Sequence, residues 1–149
     1  MTDIKNILVA VDFHDAVGEL LSTAESIAEK YDAKIWVVHV AEEGSDYTGF
    51  EGKAQYIKDT RKEEFREEHQ YLQTICNTFL GEEVEKEALL IPGPTVETVL
   101  EEAKKLNSDL LVVGTHKHSF LHNLLRESVS RKLLKNANIP LLAVPMDEE

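Results

Sequence analysis

The sequence predicts an α/β fold, a doubly wound, five-stranded parallel sheet flanked by helices. Three observations carry that expectation. Five short runs are apolar almost throughout, as strands covered on both faces are. The stretches between them repeat their apolar residues every three to four positions, as helices with one inner face do. Strand and helix patterns alternate from end to end with no internal repeat and no low-complexity linker, so residues 1–149 read as one domain.

Ile7-Leu8-Val9-Ala10-Val11 is the first run and stops at Asp12. From Ala16 to Tyr31, apolar residues at 16, 17, 20, 21, 24, 27, 28 and 31 predict a helix, with Asp15 placed to cap it. KIWVVHV, residues 34–40, is the second strand, and the glycine- and acid-rich stretch 41–54 reads as a loop. Residues 55–80 are densely charged, yet Ile57, Phe65, Leu72, Ile75 and Phe79 share one helical face, and Gly81 stops the helix. VEKEALLI, residues 84–91, is the third strand. In the next helix Pro94 suits the first helical position, and Val96, Val99, Leu100, Ala103 and Leu106 turn inward. DLLVV, residues 109–113, is the fourth strand and SVSRKLLKNAN, residues 128–138, the last helix. Pro140 ends that helix region, and LLAV, residues 141–144, makes the fifth strand.

Composition narrows the function. Acidic residues number 28 against 16 basic ones, a net charge of −12. Phosphate backbones require a basic surface, so a nucleic-acid partner is not expected, and anionic membranes are disfavoured for the same reason. Apolar residues at 42% and charged residues at 30% give an ordinary globular balance. Cys76 is the only cysteine, which rules out an intrachain disulfide and fits a reducing cytoplasm. The N-terminus MTDIKN lacks the pattern of a signal peptide, and no apolar run approaches the ~20 residues that span a bilayer. A soluble cytoplasmic protein is expected.

In a parallel sheet of this kind, ligands sit outside the carboxyl ends of the strands, near the switch in strand order. Asp12 and Gly114 close the first and fourth strands, so these strands are expected to be neighbours opening on one cleft. Residues 112–130, VVGTHKHSFLHNLLRESVS, run from a strand through a glycine and a polar loop to a Ser-containing helix start. Many α/β proteins cradle a phosphate with such a path.

NILVAVDF, VVHV, GPTVETVLEEAKKLNSDLLVVGT and SVSRKLLKNANIPLLAVP, taken in order, resemble the universal stress protein family. The resemblance covers nearly the whole chain outside about residues 42–83. It implies a dimer and, for many members, ATP held by a loop of the form Gly, two residues, Gly, nine residues, Gly, then Ser or Thr. It assigns Ala10, Val11 and Asp12 to the end of the first strand beside adenine and ribose, and gives adenine the backbone of Val40. Gly114, Thr115, Lys117, Ser128, Val129 and Ser130 then stand on the phosphate side. Gly114 and Ser128 hold the first and last positions of the loop pattern, while Lys117 and Glu127 replace its second and third glycines.

Physics weighs those replacements in opposite senses. Glycine lets amides approach a phosphate and takes positive φ, which costs other residues roughly 1–2 kcal/mol. A carboxylate about 5 Å from a phosphate charge is repelled by roughly 3 kcal/mol at an effective dielectric near 20. Lys117, by contrast, is a cation where a phosphate would sit, with His116 and His118 beside it. Two readings therefore stay open: a regulatory module responding to an adenine nucleotide, and a nucleotide-independent interaction protein with a degenerate loop.

Each candidate also has a structural reading. Asp12 could cap the following loop, and Ser128 and Ser130 are good helix caps. His39, inside an apolar strand, reads as a core histidine with its ring satisfied; Trp36 and Cys76 read as packing. His118 and His122 lie four apart but lack a third ligand, so no metal site is expected. Catalysis beyond weak hydrolysis of a bound nucleotide finds little support, since the chain has no GxxxxGK[ST] loop, no nucleophile elbow and no carboxylate pair beside a base. A phosphoacceptor domain would need an acidic pair after the first strand and a lysine after the fifth; Asp12 stands alone and Pro145 follows the fifth strand. Residues 140–144, PLLAV, should form a bare apolar edge, and the resemblance together with that edge implies a homodimer paired there.

Overall fold

The computed structural model describes residues 3–12, 16–41, 55–116 and 129–146, the side chains of 55–61 and of His116 excepted. Among the described residues five strands and four helices alternate: β1 (Asn6–Ala10), α1 (Val17–Tyr31), β2 (Lys34–Ala41), α2 (Gln55–Phe79), β3 (Lys86–Pro92), α3 (Thr95–Lys105), β4 (Leu110–His116), α4 (Val129–Asn136) and β5 (Leu141–Met146). The strands form one sheet in the order β3-β2-β1-β4-β5, every neighbouring pair parallel. β1 and β4 are adjacent, as the positions of Asp12 and Gly114 implied, and the strand order reverses between them. β5 is an edge strand.

Period-two alternation divides the core. Ile7, Val9 and Val11 pack with Leu20, Leu21 and Ala24 of α1 and Leu72, Ile75 and Cys76 of α2 on one face. Leu8 points the other way, to Val99 and Ala103 of α3 and Leu133 of α4. The helices change face where the strand order changes direction, as crossovers of one hand require.

Element boundaries moved for identifiable reasons. β4 does not stop at Val113: Gly114, Thr115 and His116 pair with Val144, Pro145 and Met146, so the glycine lies inside a strand. β5 likewise runs past Val144 through Pro145, which an edge strand tolerates because the missing N–H can face outward. Pro94 precedes the first helical residue, and its carbonyl accepts the Thr98 amide at 3.0 Å. In α2 the buried stripe is Leu72, Ile75, Cys76 and Leu80, whereas Phe79 is 44% exposed, its ring lying over Gly18. Asp15 and the stretch 42–54 lie outside the described residues.

The amino end of the sheet is tied by polar groups far apart in sequence. Asp109 Oδ2 accepts the Lys5 amide at 2.8 Å and the Asn6 amide at 3.0 Å. The Asp109 amide donates in turn to the Asn6 carbonyl at 2.8 Å. Trp36 Nε1 donates to Asn6 Oδ1 at 3.1 Å, and Lys34 Nζ stands 3.7 Å from the centre of the Trp36 ring. Three strands are thereby fixed to one another before any of them reaches the carboxyl end.

Candidate functional site

β1 is the short strand of the sheet, and its shortness shapes the carboxyl end. Its pairing with β2 ends at Ala10↔Val38, and its pairing with β4 ends at Ala10↔Val113. β2 continues through His39, Val40 and Ala41, paired with β3. β4 continues through Gly114, Thr115 and His116, paired with β5. Three further residues of strand on each side amount to about 10 Å of wall. The result is a notch in the paired ladder at the switch point, where Val11 and Asp12 lead out of β1.

The sequence-derived candidates fall around it. Ala10 ends the central strand, Val11 is buried at 6% exposure, and Asp12 is exposed. Val40, buried, belongs to the β2 wall, and Gly114 and Thr115 belong to the β4 wall. α4 connects two parallel strands, so it runs against them and its first residues, Val129 and Ser130, lie towards the carboxyl end. α4 packs on α3 and β4. Lys117, Glu127 and Ser128, with His118 and His122, lie outside the described residues.

Gly114 has a packing cause as well as a possible ligand cause. A Cβ there would come within 3.0 Å of Met146 Cγ and 3.1 Å of its Sδ. The Met146 side chain therefore occupies one face of Gly114. At the far wall, Gly93 ends the β3 side with φ +143, a glycine conformation, and donates its amide to the Ala41 carbonyl at 3.1 Å.

His39 has a partner that the sequence pattern did not name. Its Nδ1 lies 2.9 Å from the Val11 carbonyl. A carbonyl only accepts, so Nδ1 carries the hydrogen. Nδ1 is satisfied, as expected, but the residue is half-buried and not core, and its partner is the residue before Asp12. The available sequence signal was slight: one polar side chain in the apolar run VVHVA.

Elsewhere the chemistry is quiet. Burial pushes the Cys76 thiol up from 9.0 to about 11, with nearby Lys86 partly opposing the rise. A thiol so protonated is a poor nucleophile, in keeping with a packing role. Among the described residues no group of three His, Cys, Asp or Glu could hold a metal ion, and no helix is long and apolar enough to cross a membrane.

A family model, that of the universal stress protein family, matches residues 3–145. The chain belongs to the universal stress protein family. It is 33% identical over 144 residues to universal stress protein A homolog 1 of Coxiella burnetii, covering 97% of this chain and 98% of that one. To universal stress protein A of Escherichia coli strain K12 it is 32% identical over 146 residues, covering 97% and 96%. Solved structures of universal stress proteins share the fold. One in complex with cAMP superposes with a TM-score of 0.65 at 18% identity, over 98% of this chain and all of that one. One from Archaeoglobus fulgidus in complex with dAMP superposes with a TM-score of 0.57 at 20% identity, over 96% and 99%.

Proposed function

We propose that this chain is a single-domain, cytoplasmic stress-response module that binds an adenine nucleotide, ATP among the candidates, in the notch where β1 stops short between β2 and β4. The notch is the observation that carries the reading. It lies at the switch in strand order, where open parallel sheets take their ligands. Related proteins solved with cAMP and dAMP support the ligand class.

In this reading Ala10, Val11 and Asp12 meet the nucleoside, with the Asp12 carboxylate able to accept from ribose hydroxyls. The Val40 backbone meets the base. Gly114, Thr115, Lys117, Ser128, Val129 and Ser130 take the phosphates, helped by backbone amides at the start of α4. The module acts by binding and not by turnover. It works as a homodimer joined along the β5 edge, through which occupancy of the notch alters partner contacts.

Titration calorimetry of the purified chain with ATP, AMP and cAMP, with mass spectrometry of any nucleotide that copurifies, tests the reading. Binding near micromolar, worth about −8 kcal/mol, is expected. Lys117→Ala should weaken ATP by roughly 1–2 kcal/mol, one charge-assisted contact. The substitutions at 117 and 127 favour one other reading, a nucleotide-independent interaction protein. That reading takes over if millimolar ATP gives no heat and Lys117→Gly with Glu127→Gly restores binding.

A further inference from the structure

We propose that His39 is the positioning residue of the notch: its ring holds the Val11 carbonyl and so fixes the peptide plane from which Asp12 departs. The inference rests on the nucleotide reading for its functional consequence, though not for its geometry.

Val11, one residue past the paired register, is still tied to β2. Its amide donates to the Val38 carbonyl at 2.9 Å, although the paired register has ended at Ala10↔Val38. In a parallel ladder the carbonyl of such a residue would accept from the amide two residues beyond the first partner, here Val40. The ring of His39 stands there instead, at 2.9 Å. A side chain has thus taken up a contact that main chain makes lower in the sheet. The substitution lets β1 leave β2 while the departing peptide remains fixed. β2, freed of β1, continues to Ala41 with β3 alone.

The peptide in question joins Val11 to Asp12. Its C=O is gripped by His39, so the direction of the Asp12 amide and the position of the Asp12 Cα follow from the ring. Val11 is 6% exposed, so its carbonyl has little access to water as a substitute partner. Only the Nδ1–H form of the imidazole can make this contact, and a buried carbonyl selects that form. His39 touches the strand and not the nucleotide. It acts through Asp12.

The test uses the full chain and three variants. His39→Asn keeps a donor nitrogen the same number of bonds from Cα as Nδ1. His39→Gln moves the donor one bond farther, and His39→Leu removes it while suiting an apolar strand. Two readouts are taken: ATP affinity by calorimetry, and the Asp12 amide signal of the unliganded protein by NMR. His39→Leu and His39→Gln should lose roughly tenfold in ATP affinity and shift the Asp12 amide without ligand. His39→Asn should stay within about threefold of the parent. In the parent, the ring nitrogen shifts should report the Nδ1–H tautomer, a readout that survives even if a variant fails to fold.

A His39→Leu protein that binds ATP like the parent with the Asp12 amide unmoved would overturn the proposal. So would a parent ring in the Nε2–H form, or a His39→Asn protein as impaired as His39→Leu. If the parent binds no ATP yet His39→Leu moves the Asp12 amide, the nucleotide reading fails and the positioning role stands.

Discussion

At the amino end of the sheet Asp109 holds the Lys5 and Asn6 amides at 2.8 and 3.0 Å, and Asn6 in turn holds the Trp36 indole at 3.1 Å. At the carboxyl end β1 stops at Ala10 while β2 runs on to Ala41 and β4 to His116. One end closes the sheet by joining β1, β2 and β4; the other lets the same three strands part. The amino end spends its polar groups on the fold, and the carboxyl end spends its geometry on an opening. The division suits the proposal that ligand chemistry is confined to one rim.

The contrast is open to direct attack. Asp109→Ala should be the most damaging change at either end. It leaves two main-chain N–H groups without their charged acceptor, which should cost about 2 kcal/mol in urea unfolding and leave nucleotide affinity unaltered. A loss of affinity matching the loss of stability would mean the two ends are not separable. Gly114→Ala should cost less, about 1 kcal/mol, because the new methyl meets the unbranched Met146 side chain, from Cγ outward, and not main chain. A cost of several kcal/mol, measured the same way, would show that the β4 wall is as tightly fixed as the amino end.

A pH-dependent effect is expected on the buried face under α1 and α2. The Cys76 thiol is raised from 9.0 to about 11 by burial, Lys86 partly opposing. A raised folded-state value favours the native protein fully below the unfolded-state value and loses that advantage as pH climbs through the folded one. The stability gap between the parent and Cys76→Ala should therefore narrow between about pH 9 and 11. A gap that stays constant across that window would indicate that water reaches the thiol.

How far the sequence foretold these two ends differs, and the reason is range. The strands and helices were legible because each carries its own period: Ile7 to Val11 needs no partner to look like a buried strand, and Val96, Val99, Leu100 and Ala103 announce a helix face unaided. The adjacency of the first and fourth strands was legible too, since Asp12 and Gly114 at their carboxyl ends pointed to one site at the switch in strand order. The notch was not. Its depth depends on how far β4 continues beyond Gly114, which is decided by partners in β5 about thirty residues later. The Asp109–Asn6 tie was invisible for the same reason, and His39 read as a satisfied core histidine without any sign that its acceptor would be Val11. Phe79 misled because two adjacent positions compete for one stripe, and Leu80 takes the buried one.

The central claim, that ligand chemistry is confined to the carboxyl-end notch, is met most directly by an amide NMR titration of the full chain with ATP. The account predicts shifts concentrated at residues 10–12, 39–41, 114–116 and 129–130, with Lys5, Asn6, Lys34, Trp36 and Asp109 unmoved. Saturable shifts centred on the amino-end residues, or none anywhere at millimolar ATP, would contradict it.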